Sequence, residues 1–410
     1  MKVLFLAHRL PFPPDRGDRI RSWNILQHLA ERFEVHLGCL VENSGELQHL
    51  PVIERHAASH YVAGRSRPLW LSGLHALRQG RPVSLAAFDN AGLREWVQCT
   101  VREKAIDSIY VFSGQMGQFV PDGFSGRLLV DLVDVDSAKF ESYALNSAIP
   151  MRLVHSREAR LLKDVEADLV ARSEHTFLVS ENEAALLRSR LPAGDAARVS
   201  ALRNGIDFAG FDPAKVDPHR TVCADHPYFL FTGQMDYRPN VEAVQRFAHA
   251  VMPAIRAVHA QARFHIVGRS PTAAVNALHG VNGTVVHGEV PDMRPFLAAA
   301  SVVVAPLGIA RGVQNKVLEA MAMARPVLLT PEAATGIDAE DGRHFCIARS
   351  DSELVERALA LLADRTLAEE MGIAARQLVC ATLGWEATLA GLGPMIAGPA
   401  GQEGHQRDAA

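Results

Sequence analysis

The 410-residue sequence has few cysteines, few aromatic residues, no surplus of basic charge and no long apolar run. Cys39, Cys99, Cys223, Cys346 and Cys380 are scattered, with no CxxC pair. That spacing excludes a disulfide framework or a cysteine zinc site, and it fits reduced thiols in a cytoplasmic protein. No segment approaches the roughly 20 apolar residues of a membrane-spanning helix. The run Val3–Ala7 is too short for the apolar part of a secretory leader. A formal net charge of −4 argues against nucleic acid as a partner. The GxGxxG dinucleotide fingerprint is missing after the first apolar run. His56 and His60 stand four apart without the glutamate of HExxH, so no metal is expected. What is present is a 48% hydrophobic content, enough to bury two cores.

The apolar runs have strand length and alternate with helical patterns. In the first half they cover Val3–Ala7, Glu34–Val41, 108–113, 127–137 and 175–180, with helices over 18–31 and 155–172. In the second half they cover 228–235, 263–269, 284–290, 301–307, 326–330 and 344–349. The intervening helices are read at 240–257, 272–279, 292–299, 314–324, 351–363 and 366–382. This pattern predicts an α/β protein with two doubly wound domains, 1–197 and 205–383, joined by the turn-rich segment 198–213. A helix over 384–397 is expected to pack back on the first domain, and 398–410 to be a disordered tail. Continuous apolar strands imply parallel sheets covered on both faces. Ligands then bind beyond the carboxyl ends of the strands, here expected in a cleft between the domains.

The strand-end loops of the second half are 233–240, 268–271, 288–292, 306–316 and 330–338. They supply Arg238, Arg269, Arg311 and Lys316, with glycines and helix starts, a combination suited to a diphosphate. Glu319 lies one turn beyond Lys316; it reads either as a ribose-binding carboxylate or as half of an i,i+3 salt bridge. In the first half, Gly17 with Arg19 and Arg21 reads as a phosphate- or sugar-facing helix start, or as a charged first turn. In "VDLVDVDS", Asp134 and Asp136 fall at the end of a strand, as a base or acceptor-hydroxyl ligand, or as a cap for the next helix. The basic and apolar segment 65–81, around Trp70, Leu71, Leu74 and Leu77, reads as a membrane-surface element or as a packed helix.

The segments "TGQMDYRPNVEAV", "VHGEVPDMRPFLAAASVVVAPL" and "ARGVQNKVLEAMAMARPVLLT" resemble those of GT-B glycosyltransferases of family 4. "FLAHRLPFPPDRGDRIRSWNIL" and "VDLVDVDSAKFESYA" further resemble sugar transferases of PEP-CTERM/exosortase-associated exopolysaccharide loci. The resemblance implies two Rossmann-like domains facing across a cleft that closes on substrate. It also implies a retaining, metal-independent transfer with no cofactor beyond a nucleotide-diphosphate sugar. The acceptor implied is a saccharide or lipid-linked saccharide, with peripheral contact at the cytoplasmic face of the inner membrane. By this resemblance Glu319 holds the donor ribose, Lys316 the diphosphate and Arg238 a phosphate. Gly233, Arg311, Gly312, Val313 and Asn315 complete the donor loops, Gly17, Asp18 and Arg19 form the acceptor or phosphate loop, and Asp134 takes a catalytic place. Two departures stand out. Many members carry a histidine where this sequence has Asp134 and Asp136. Many also carry a glutamate eight positions before the ribose-binding one, where this sequence has Arg311, a side chain unable to accept a hydroxyl proton. A nucleotide-sugar epimerase and a non-catalytic nucleotide-sugar-binding partner are the rival readings.

Overall fold

The computed structural model describes residues 1–64, 76, 79–145, 147–208, 210–219, 226–310 and 313–398. The expectations for Arg311, Gly312, Trp70, Leu71, Leu74, Leu77 and the tail 399–410 lie outside the described residues. The chain divides into two compact units, one of Met1–Asn204 with the stretch from Thr388, the other of Gly205–Ala387.

The first unit is a seven-stranded sheet of β1 (Lys2–Ala7), β2 (Glu34–Val41), β3 (Ser59–Gly64), β4 (Ser108–Phe112), β5 (Arg127–Val133), β6 (His175–Leu178) and β7 (Val199–Ala201). Its order is β3-β2-β1-β4-β5-β6-β7, and every pairing is parallel. The interior strands are the apolar runs of the sequence, buried on both faces. The two edge strands carry weaker signals. β3 (SHYVAG) is only half-buried, and β7 has three residues inside the segment read as a connector. The short helix Leu392–Ala397 docks on this unit. Ser108 Oγ donates to the Ile396 carbonyl at 3.1 Å, and Arg127 Nη2 donates to that of Met395 at 2.8 Å.

The helix Gly17–Ala30 is tied to the sheet by charge. Arg21, which the sequence places with phosphate-facing residues, instead points into the core. Its Nε donates to Asp131 Oδ2 at 2.8 Å and its Nη1 to Asn204 Oδ1 at 2.9 Å. Tyr110 Oη donates to the same carboxylate at 3.1 Å. Arg21 and Asp131 have side-chain exposures of 1% and 0%. A charge this deep is tolerable only with its partner in place. Asp131→Ala is therefore expected to destabilise the first unit by roughly 3–5 kcal/mol, read as a lower denaturant midpoint at unchanged m-value.

The second unit has β8 (Tyr228–Thr232), β9 (Arg263–Val267), β10 (Thr284–Gly288), β11 (Val302–Ala305), β12 (Val327–Leu329) and β13 (Cys346–Ile347). The order is β10-β9-β8-β11-β12-β13, again all parallel. The predicted helix 240–257 runs over Arg238–Arg246 and Met252–Val258, with one π-turn at Phe247–Val251 between them. That turn keeps Phe247 in the core against Phe229 and Phe264, with ring centroids 5.7 and 4.7 Å away. A histidine pair marks β9 and β10, where His265 Nδ1 and His287 Nε2 share a hydrogen bond of 2.8 Å. Burial, then the neighbouring His287, His226, Arg263 and His219, pulls His265 down to about 3 from its ordinary 6.5. The unfolded chain takes up this proton first. The stabilisation is therefore complete above pH 6.5 and drains away as pH falls toward 3, on the order of 5 kcal/mol. Thermal melts across that window are expected to show a Tm that declines with acidification, and His265→Gln to flatten the decline.

Candidate active site

Both sheets reverse strand order at one point, between β1 and β4 in the first unit and between β8 and β11 in the second. At such a point the connections leave in opposite directions and open a crevice at the strand carboxyl ends.

In the second unit β8 runs into Gly233, whose φ of +151° no side-chain-bearing residue adopts readily. A methyl group there would stand 2.9 Å from Asn240 Nδ2 and 3.0 Å from Lys316 Nζ. Gly268, just past β9, comes closer still, since its own methyl would lie 1.6 Å from the Gly233 carbonyl oxygen. The crevice floor is thus backbone packed on backbone. Asn240 is fixed from below, its Nδ2 donating to the Gln234 carbonyl at 2.9 Å. Its Oδ1 accepts from Lys316 Nζ at 2.6 Å. The ammonium also sits 4.1 Å from the centroid of the Phe231 ring, attracted to the ring face.

Lys316 is carried by the helix Asn315–Ala322, a run of strong helix formers that buries Val317, Leu318, Ala320, Met321 and Ala322. Among the described residues no side chain caps its first turn. Glu319 lies one turn along, on the same side as Lys316. The i,i+3 salt bridge open to them by spacing is not formed: among the described residues Glu319 has no ion pair, and Lys316 bonds to Asn240. Burial pulls Lys316 down to about 7, against the pull of Glu319. Burial likewise pushes Glu319 up to about 7, against Lys316. Two desolvated groups of opposite sign, neither matched at contact distance, suit a ligand that brings an anion to one and hydroxyl donors to the other.

The other donor-side residues are more dispersed. Asn315 is exposed at the helix start, and Val313 is half-buried against Gly336. Arg238 begins the helix that also carries Asn240, but its side chain is 87% exposed and its Nε donates to Glu242 at 2.7 Å. Arg269 is exposed and donates to Gln234 Oε1 at 3.0 Å.

In the first unit the crevice end of β1 is His8, a residue the sequence reading passes over. Its ring stacks on Phe112 at the end of β4, with centroids 5.7 Å apart. Asp18 accepts from Arg9 Nη1 at 2.6 Å and meets His8 Nε2 at 3.2 Å. Burial lowers the His8 pKa and so favours a neutral imidazole, against the opposing hydrogen bond to Asp18. Asp18 is held well below the usual carboxylate range by His8 and Arg9, although its own desolvation acts the other way. Arg19 is buried and its charge is already matched, by Glu46 at 2.9 Å and Asp15 at 3.3 Å. Gly17 starts the helix with open space around the site of a Cβ. Asp134 lies past β5, open to solvent on one side but with enough protein around it to be partly desolvated; that, then Glu183 and Asp136, raises its carboxyl pKa. Asp136 opens the helix Asp136–Leu145 and accepts from Gln115 Nε2 at 3.0 Å.

Residues 226–364 match the family model "Glycosyl transferases group 1". The matched segment lies within the second unit and spans about a third of the chain. Over 246 residues the chain is 28% identical to the alpha-maltose-1-phosphate synthase of Mycolicibacterium smegmatis, covering 54% of this chain and 62% of that protein. The matched stretch thus spans less than two thirds of that relative. Among solved structures, HepE of Anabaena in complex with UDP is similar at a TM-score of 0.62 and 15% identity, over 96% of this chain and 98% of that one. WaaG, a glycosyltransferase involved in lipopolysaccharide biosynthesis, is similar at 0.59 and 16%, over 97% and 100%. Sucrose-phosphate synthase of Thermosynechococcus elongatus is similar at 0.58 and 16%, over 100% and 99%. These likenesses identify the fold as GT-B, two parallel-sheet α/β domains.

In the second unit the sequence singles out Gly233, Lys316 and Glu319; Asn240 and Gly268, which help position them, fall within the strand-end loops 233–240 and 268–271 without being singled out, and Phe231 is not marked. The signal for Gly268 is its place directly after an apolar run, as for Gly233. Asn240 has no such mark. Gly233→Ala is expected to weaken binding of a nucleoside diphosphate at least tenfold by calorimetry, with the far-UV spectrum unchanged.

Proposed function

We propose that the chain is a glycosyltransferase that moves a sugar, with retention at the anomeric carbon, from a nucleotide-diphosphate sugar to a saccharide or lipid-linked saccharide. The observation that carries this reading is the Lys316 and Glu319 pair, desolvated, unmatched and set at the strand-order reversal of the second unit. A diphosphate beside Lys316 restores its ammonium, and two vicinal ribose hydroxyls donate to Glu319. In the reaction the bond from the anomeric carbon to the β-phosphate oxygen breaks, and a bond to the acceptor oxygen forms on the same face. The acceptor proton passes to the departing phosphate. Lys316 and the first turn of its helix stabilise the charge that grows there, a role this reading gives to the protein without a metal. Arg238 contributes once it leaves Glu242, and Asp134, with its raised pKa, takes the acceptor side. Binding of UDP and UDP-glucose by HepE, a protein of the same fold, supports a nucleotide-diphosphate donor. We place the reaction in exopolysaccharide synthesis at the cytoplasmic face of the inner membrane, as the N-terminal sequence resemblance suggests.

Glu319→Ala is expected to raise the donor KM at least tenfold, and Lys316→Met to lower kcat about a hundredfold. Donor kinetics like those of the unaltered protein in both variants would remove the pair from the site. Donor incubated without acceptor is expected to stay unchanged in an NMR time course; its conversion to an epimer would favour the rival enzyme. Tight donor binding with no transfer to any acceptor would favour a binding partner instead.

A further inference from the structure

Large apolar side chains are not exposed evenly over the surface. Of fifteen such residues exposed among those described, six fall within one short stretch: Tyr143, Leu145, Ile149, Met151, Leu153 and Val154. This stretch is the tip of the hairpin formed by the helices Asp136–Leu145 and Met151–Arg172. Leu145, Ile149 and Leu153 are 80%, 74% and 65% exposed. The longer helix is exposed over Met151–Val154; from His155, whose ring meets Phe140 and Tyr143, and Arg157, which donates to the Ala76 and Arg81 carbonyls, it is held to its own unit. Its first turn therefore faces solvent at the hairpin tip.

The tip itself carries only basic charge, and Glu141 beside it is matched by Lys163 and Arg190. From Ser142 to Arg157 the sequence has no carboxylate, while it carries Arg152 and Arg157. Arg152, Arg160 and Lys163 follow at spacings of eight and three, which sets them on one side of the helix. Arg152 and Arg160 are exposed and have no ion-pair partner among the described residues. Lys163 is paired with Glu141 at 2.7 Å. An apolar tip with unneutralised arginines behind it matches the layering of a lipid surface, with acyl chains at the tip and anionic headgroups at the arginines. An apolar protein partner would match the tip but leave the arginines without counter-charge.

We propose that this hairpin is a membrane-docking element that inserts its apolar tip into an anionic bilayer surface. It is a different stretch of the sequence from the segment 65–81 suggested for such a role, most of which lies outside the described residues. The proposal deepens the membrane-side placement given above, and its test reads vesicle binding without reference to sugar transfer.

Flotation of the full chain with vesicles tests it. The unaltered protein is expected to float with vesicles containing roughly one-third phosphatidylglycerol in phosphatidylethanolamine, and less as salt rises. It is expected to stay behind with pure phosphatidylcholine. The triple variant Leu145→Glu, Ile149→Glu, Leu153→Glu is expected to lose at least tenfold in apparent vesicle affinity at an unchanged Tm, because all three side chains face solvent. Arg152→Ala with Arg160→Ala is expected to weaken binding to the anionic vesicles severalfold. Failure of the unaltered protein to float, or equal flotation of the triple variant, would overturn the proposal. A dimer that the triple variant dissolves, seen by light scattering without vesicle binding, would assign the tip to a second copy and overturn it as well.

Discussion

Every strand pairing among the described residues is parallel, and the interior strands are covered on both faces. That constraint governs where chemistry can occur. Side chains along such strands have no solvent to reach, so polar groups collect past the strand ends. At the order reversal the connecting helices diverge, and room opens there that backbone would otherwise fill. Gly233 and Gly268 take the constraint to its limit, two backbones in contact with no space for a methyl group between them.

The same burial sets the electrostatics of each unit, with opposite outcomes. Arg21 and Asp131 are desolvated together and matched at 2.8 Å, so their charges close on one another and serve the fold. Lys316 and Glu319 are desolvated on one helix but not matched, and burial lowers the pKa of the one and raises that of the other. The difference lies in the partner each cation found. Lys316 is held by a neutral amide and a ring face, which orient an ammonium without neutralising it. Such a cation keeps its demand for an anion. The hairpin arginines repeat the pattern at the surface, where the missing counter-charge points to a planar partner.

Much of the fold was legible along the chain because buried parallel strands are continuous apolar runs, and these were read at nearly their observed bounds. The edges were less legible. β3 is half-buried and polar in part, and β7 offers three residues among turn formers. Lys316 and Glu319 were readable because a charged pair inside an apolar helix between two buried strands needs an explanation. His8 was not, because one histidine after an apolar run looks like any other until Phe112 is seen beneath it.

The sequence by itself determined the two α/β units, the parallel pairing and the strand ends that bear polar groups, since hydrophobic periodicity is a local property of the chain. Tertiary structure alone decided which charges are satisfied. Arg19 and Arg21 look available in sequence and are bound to Glu46 and Asp131, far along the chain. Lys316 and Glu319 look paired and are not. Whether a charge is matched depends on what stands within a few ångströms in space, and partners 27 or 110 positions away leave no local mark.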